Sequence, residues 1–204
     1  MDERLEVLFP GTARELCALK FSTPFQLLAA TILSAQCTDV RVNMVVPALF
    51  DRYPDARALA AASQEDVERL IRSTGFFRAK AANLIAMAQA VMSRYGGEVP
   101  RELEDLVTLP GVGRKTGNVL RSVAFDLPGL PVDTHVGRVS RRLGLTAQSD
   151  PVKIEHELNA FIAPARRGAF SLRMILHGRE TCDARRPQCE RCEIRDLCLR
   201  IGVS

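Results

Sequence analysis

Residues 109 to 135 read LPGVGRKTGNVLRSVAFDLPGLPVDTH, and this stretch decides the fold. A short apolar helical run ends at Leu109, a second runs from Lys115 to Phe125, and Gly111-Val112-Gly113 turns the chain between them. Gly-x-Gly between two helical arms permits positive φ and lets bare N–H groups approach an anion that a Cβ would obstruct. Such a hairpin suits a backbone phosphate, with Gly111, Val112, Gly113, Arg114 and Thr116 as the residues that would touch it. After the second arm comes a Pro/Gly turn, then Asp133 and His135.

The surroundings of the hairpin are basic. Arg114, Lys115, Arg121, Arg138, Arg141 and Arg142 face only Asp126 and Asp133 between positions 111 and 142. A local positive field beside a phosphate-shaped turn points to nucleic acid. The identity of position 115 adds a second argument. Of 28 basic residues only four are lysine (Lys20, Lys80, Lys115 and Lys153), so composition alone would place Arg there. Arginine keeps its proton in a protein, whereas lysine can be neutralised and act as a nucleophile. Lys115 and Asp133 are therefore the candidate catalytic pair.

Outward from this centre the pattern stays helical. Leu27, Leu28, Thr31, Ile32 and Ala35 share one face from Phe25 on; Thr38 or Asp39 caps a helix carrying Val42, Val45, Val46 and Leu49. Ser63 starts another, and Gly75-Phe76-Phe77-Arg78 reads as a loop before a long helix, Lys80 to Tyr95, with Leu84, Ile85, Ala88, Val91 and Met92 inward. Further helices are expected over 102–108, 133–143, 151–162 and 169–177, and one over 2–9 ahead of them all; residues 12–21 read as extended. No stretch alternates β-branched residues with period two. The fold class is all-α.

Four cysteines close the chain as Cys182, Cys189, Cys192 and Cys198, spaced C-x6-C-x2-C-x5-C. No basic-then-apolar leader opens the sequence and no apolar run is long enough to span a bilayer, so a cytoplasmic protein with reduced thiols is expected. Four thiolates in so short a span suit a structural zinc or a 4Fe-4S cluster, and spacing alone leaves both open. Arg185, Arg186, Arg191 and Arg195 would then point outward from a loop ordered by its cofactor. Cys17 and Cys37 lie among apolar residues and read as buried small hydrophobes.

Taken together, ILSAQCTD (32–39), GFFRAKA (75–81), LPGVGRKTGNVL (109–120), VDTHVGRVSRRLGL (132–145) and LHGRETC (176–182) with the three further cysteines resemble the endonuclease III family over nearly the whole chain. The resemblance implies a six-helix barrel with the helix-hairpin-helix over 20–126, and a second helical domain from 1–19 and 127–204 carrying a cluster loop (182–198), with a DNA-binding cleft between. It also decides for a 4Fe-4S cluster, and adds a monovalent cation at the hairpin carbonyls. The implied activity is a bifunctional DNA glycosylase/AP lyase that removes oxidised pyrimidines from double-stranded DNA, working as a monomer at the nucleoid. By position, Gln36 resembles the family's plug for the vacated base site, and Phe76 its apolar wedge, with Phe77 and Arg78 beside it. Mismatch- or adenine-excising relatives, a non-catalytic DNA-binding module and a purely redox cluster protein are the alternatives; the adenine-excising branch lacks this lysine, Lys115 with Asp133 speaks against the binding module, and a redox protein would not need LPGVGRK. Gly117 stands where the family more often has Ala, with a local softening of the helix expected.

Overall fold

The structure, a computed structural model, describes residues 1 to 203. About 64% of the chain is helical and no strand occurs among the described residues. The chain divides into two compact units, one from Cys17 to Phe125 and one combining Met1–Leu16 with Asp126 onward. The first boundary falls slightly ahead of residue 20 because Asn43 accepts from the Lys20 amide and donates to the Ala18 carbonyl, which fastens residues 18–20 to the inner unit.

In chain order the helices are α1 (Asp2–Leu8), α2 (Ala13–Leu16), α3 (Pro24–Leu33), α4 (Asp39–Arg52), α5 (Ala56–Ala60), α6 (Gln64–Ile71), α7 (Phe77–Tyr95), α8 (Leu103–Leu106), α9 (Arg114–Val119), α10 (Thr134–Leu143), α11 (Pro151–Phe161) and α12 (Arg167–Glu180). Their starts follow local chemistry. The Thr23, Thr38, Asp55, Ser63, Asp133 and Asp150 side chains each accept a backbone N–H of the first turn, satisfying donors that a helix start otherwise leaves open.

The inner unit, α3 to α9, is assembled around α7, which packs on α3, α5 and α6. Leu27, Leu28, Leu33, Val42, Leu49, Leu59, Ile71, Leu84, Met87 and Leu120 are buried here. Burial of each such side chain contributes about 1.5–3 kcal/mol. The other unit has its own core, in which Leu5, Val136, Val139, Ile154, Leu158, Phe170, Met174 and Ile194 meet. Arg173, 2% exposed, locks α1 onto α12 by donating to the Phe9 and Gly11 carbonyls and pairing with Asp2 and Glu6.

Several expectations need correction. Residues 12–21 are not all extended, since α2 lies within them. Thr12 and Glu15 form a capping box: the Glu15 carboxylate accepts from the Thr12 amide and hydroxyl, and the Thr12 Oγ1 accepts from the Glu15 amide. The long helix begins at Phe77, not Lys80, so only Gly75 and Phe76 of GFFR are loop. Ala35 lies beyond the end of α3 and is exposed; Ile85 and Met92 are half-buried, while Met87 is fully inside. Cys17 and Cys37 are half-buried rather than core, because both sit on connections between helices. The second arm of the hairpin is regular only to Val119, after which residues 120–124 widen into a π turn closed by Phe125 N–H on the Leu120 carbonyl.

Candidate functional site

The hairpin of the inner unit runs from α8 to α9. Gly111 takes φ +75°, and a Cβ there would also come within 3.0 Å of the Asn83 Cβ. Gly113 differs from expectation: it is extended (φ −94°, ψ 175°), with open space where a Cβ would stand. No strained turn therefore requires a glycine at this position. Val112 buries its side chain and donates its amide to the Leu109 carbonyl, so it shapes the hairpin instead of facing outward. Gly113 is the N-cap of α9 and has no side chain to cap with. The cap position itself therefore supplies no acceptor to the first turn of α9, where the helix carries its partial positive charge. Lys115 is exposed in this first turn, between the half-buried Arg114 and Thr116.

Two further parts of the inner unit adopt conformations that side-chain-bearing residues rarely hold. Gln36, just past α3, has φ +52°, and Phe76, the N-cap of α7, has φ +47°. Both are exposed, Phe76 to 68%. Such strain is kept where the surroundings over-determine it, commonly at functional positions. Phe77, by contrast, is half-buried, with the Arg72 and Arg78 guanidinium groups 5.9 and 5.8 Å from its ring centre. Beneath the two loops lies a residue that the sequence reading used only as a helix start. Lys80, 5% exposed, donates to the carbonyls of Leu33 and Thr74 at 2.9 and 2.8 Å. Burial pushes its pKa below the usual lysine value. Its scarcity in an arginine-rich chain was the available signal.

In the other unit, Asp133 caps α10. Its Oδ1 accepts from the His135 and Val136 amides at 2.8 and 2.9 Å, and Oδ2 takes no part in the cap. His135 is half-buried, with Nδ1 3.2 Å from Arg138 Nη2. Arg138 also donates to the Gly178 and Cys182 carbonyls. One turn on, Arg142 donates to the carbonyls of Cys182, Asp183 and Ala184 and to Cys182 Sγ. Two arginines on α10 thus hold the first bend of the cysteine loop. Neither was singled out from sequence beyond its charge.

Cys182, Cys189, Cys192 and Cys198 line one recess, together with Val139, Leu143, His177 and Ile194. Among the described residues no three His, Cys, Asp or Glu groups converge as they would around a single metal ion; a multi-iron cluster requires thiolates spread around it. Apolar walls and N–H donors to sulfur, from Arg142 Nη1 to Cys182 and from the Arg200 amide to Cys198, also fit a cluster. Burial pushes the Cys192 thiol up, and the neighbouring thiols add to this, a cost that a bound cation removes. Arg185, Arg186 and Arg191 are exposed as expected, but Arg195 is half-buried and paired with Glu190.

A glycine hairpin between two short helices and a four-cysteine recess define a helix-hairpin-helix protein of the iron-sulfur type. Residues 29–164 match the family model of HhH-GPD superfamily base excision DNA repair proteins, and residues 182–198 match the iron-sulfur binding domain of endonuclease III. The chain is 52% identical over 195 residues to endonuclease III of Synechocystis sp., covering 95% of this chain and 88% of the relative. It superposes on a solved non-covalent endonuclease III–DNA complex with a TM-score of 0.90 at 41% identity, covering 98% of this chain and 92% of that one. A trapped endonuclease III–DNA covalent intermediate gives the same TM-score at 42% identity and the same coverages. The chain belongs to the endonuclease III family and binds a 4Fe-4S cluster.

Proposed function

We propose that Lys115 is the nucleophile and Asp133 the electrostatic partner of a DNA glycosylase/AP lyase of base excision repair, acting on oxidised pyrimidines in double-stranded DNA. The enzymatic class is that of the family; the residue roles and the lesion class are the proposal. The observation that carries it is the exposed Lys115 in the first turn of α9, two residues after the N-cap Gly113 of the glycine hairpin.

A base within a duplex is out of reach, so the damaged nucleotide is turned out of the stack at a cost of a few kcal/mol that a lesion reduces. Phe76 wedges the opened step, Gln36 fills the vacated place, and Arg78 stands by the strand. Amides of the hairpin hold a backbone phosphate without reading sequence. A monovalent cation on the hairpin carbonyls would add positive charge beside that phosphate. The neutral Lys115 amine attacks C1′; the C1′–N bond breaks and its electron pair leaves with the base. Asp133 stabilises the positive charge that develops on the sugar. The nitrogen proton passes to O4′ as the C1′–O4′ bond breaks, which opens the sugar and leaves a Schiff base; this loses a C2′ proton, and β-elimination expels the 3′ phosphate. The cluster, when bound, orders the cysteine loop and its exposed arginines. The protein works as a monomer on the nucleoid.

Borohydride reduction on abasic-site duplex should trap a covalent protein–DNA adduct, absent from Lys115→Gln. No adduct with the unaltered protein, or one that survives the substitution, sinks the assignment.

A further inference from the structure

We propose that Lys80 is a positioning residue for base extrusion, its buried side chain joining the loop that presents Gln36 to the loop that presents Phe76. The proposal rests on the plug and wedge roles given above. Lys80 lies in the first turn of α7 and reaches inward rather than to solvent. Its Nζ donates to the Leu33 carbonyl, three residues before Gln36, and to the Thr74 carbonyl, two residues before Phe76. Its own amide donates to the Phe76 carbonyl at 3.0 Å. One residue therefore contacts the main chain on the approach to both strained tips and at one of the tips themselves.

The arrangement answers a physical need. Gln36 and Phe76 hold left-handed backbones without being glycine, and such conformations persist only when fixed from outside. The Gln36 loop has its own hydrogen bonds, Ala35 N–H to the Ile32 carbonyl and Cys37 N–H to the Ser34 carbonyl. The Phe76 loop is held by the buried Thr74, whose hydroxyl donates to the Ile71 carbonyl. Of these bonds, none crosses from one loop to the other. The Lys80 ammonium makes the crossing, with a buried four-carbon stem and donors aimed at two carbonyls. An apolar side chain of equal length would fill the space but leave both carbonyls unpaired and their orientation free. Extrusion needs plug and wedge to enter one base step together, so their separation must be fixed before DNA arrives.

The test uses Lys80→Met in the cluster-loaded protein, alongside Gln36→Ala and Phe76→Ala. Substrates are a duplex carrying one thymine glycol beside 2-aminopurine, and a single-stranded oligonucleotide with a preformed abasic site. For Lys80→Met, single-turnover base excision from the duplex should fall about 10- to 100-fold, as small displacements of positioning groups do. The 2-aminopurine fluorescence rise that reports extrusion should fall with it. Cleavage of the single-stranded abasic site, where nothing needs extruding, should stay within about twofold. Lys80→Arg, with donors for both carbonyls, should recover much of the duplex activity. Should Lys80→Met not fold, Lys80→Gln, which keeps a donor for one carbonyl, takes its place in the same comparison. Normal duplex excision by the Lys80 variant beside impaired Gln36→Ala and Phe76→Ala overturns the Lys80 assignment alone. Normal behaviour of Gln36→Ala and Phe76→Ala overturns the plug and wedge reading, and this proposal with it. Equal loss on both substrates shows general damage and also overturns it.

Discussion

Arg142 Nη1 donates to the Sγ of Cys182 at 3.3 Å while the same guanidinium holds the carbonyls of Asp183 and Ala184. The arginine is 9% exposed, and its own carbonyl lies 3.4 Å from Cys198 Sγ and accepts from the Ile201 amide. One residue of α10 thus touches the first and last cysteines of the loop. Arg142→Met keeps most of the stem's packing but removes every donor. The cluster's visible absorbance should then decay at least about tenfold faster under an iron chelator, because loop opening becomes easier by more than about 1.4 kcal/mol. Unchanged decay would show that the thiolates alone hold the loop.

The cap that Asp133 makes and the catalytic role proposed for it can be separated. Asn supplies a neutral oxygen in the place of Oδ1, so Asp133→Asn should keep the α10 cap and its melting temperature within about 1 °C. Without the negative charge, single-turnover excision should drop by about 100-fold or more while lesion-duplex affinity stays nearly unchanged. Asp133→Ala should lose the cap as well, costing about 1 kcal/mol and lowering the melting temperature by about 2–4 °C. Parallel loss of binding and turnover in the Asn variant would reduce Asp133 to a cap alone.

Much of this was legible in the sequence, for identifiable reasons. Helix starts announce themselves through short polar side chains at fixed offsets, and Ser63, Thr38 and Asp133 cap where the pattern places them. The capping box of Thr12 and Glu15 carried the same signal, but four residues are too few to show a periodic apolar face. The hairpin was visible through Gly111, whereas the extended Gly113 shows that a glycine's purpose cannot be read from its letter. Lys80 was hidden for a different reason. Its partners are main-chain carbonyls at Leu33 and Thr74, and backbone acceptors leave no trace in residue identity. The argument from lysine scarcity that singled out Lys115 applied equally to Lys80. Arg138 and Arg142 were masked the same way: basic letters near a DNA-binding motif suggest phosphate contacts, yet these two turn toward the carbonyls of their own chain.

The two phenylalanines at 76 and 77 should separate by phenotype. Phe76 is exposed and left-handed, so Phe76→Ala should change stability by less than about 0.5 kcal/mol. Its effect should fall on excision from duplex and spare single-stranded abasic cleavage. Phe77 begins α7, and its ring is covered by the Arg72 and Arg78 guanidinium groups. Phe77→Ala should cost about 1–2 kcal/mol of stability, part of what a fully buried Phe would. A folded Phe76→Ala with normal duplex excision, set against an impaired Phe77→Ala, would transfer the wedge to Phe77.

Gly117 allows a stability prediction whose sign depends on one neighbour. It lies buried within α9 with helical backbone, so it brings no conformational benefit and costs about 1 kcal/mol relative to Ala. A Cβ there would stand 2.6 Å from Leu103 Cδ1, 3.5 Å from Leu106 Cβ and 3.8 Å from Val107 Cγ1. The last two are ordinary contacts. The first is a clash, but with the end of a flexible side chain that is only half-buried and can rotate. Turning Leu103 to another staggered well recovers part of its packing, so the gain in helix propensity should exceed the loss. Gly117→Ala should stabilise the protein by about 0.5 kcal/mol and raise the melting temperature by about 1–2 °C. Gly117→Val adds methyls beside the buried Leu106, whose Cβ is fixed to the backbone of the facing arm and cannot withdraw without opening the hairpin. It should destabilise by about 1–3 kcal/mol. A lower melting temperature for the Ala variant would mean that Leu103 is fixed and that the close approach of α8 to α9 depends on the missing Cβ.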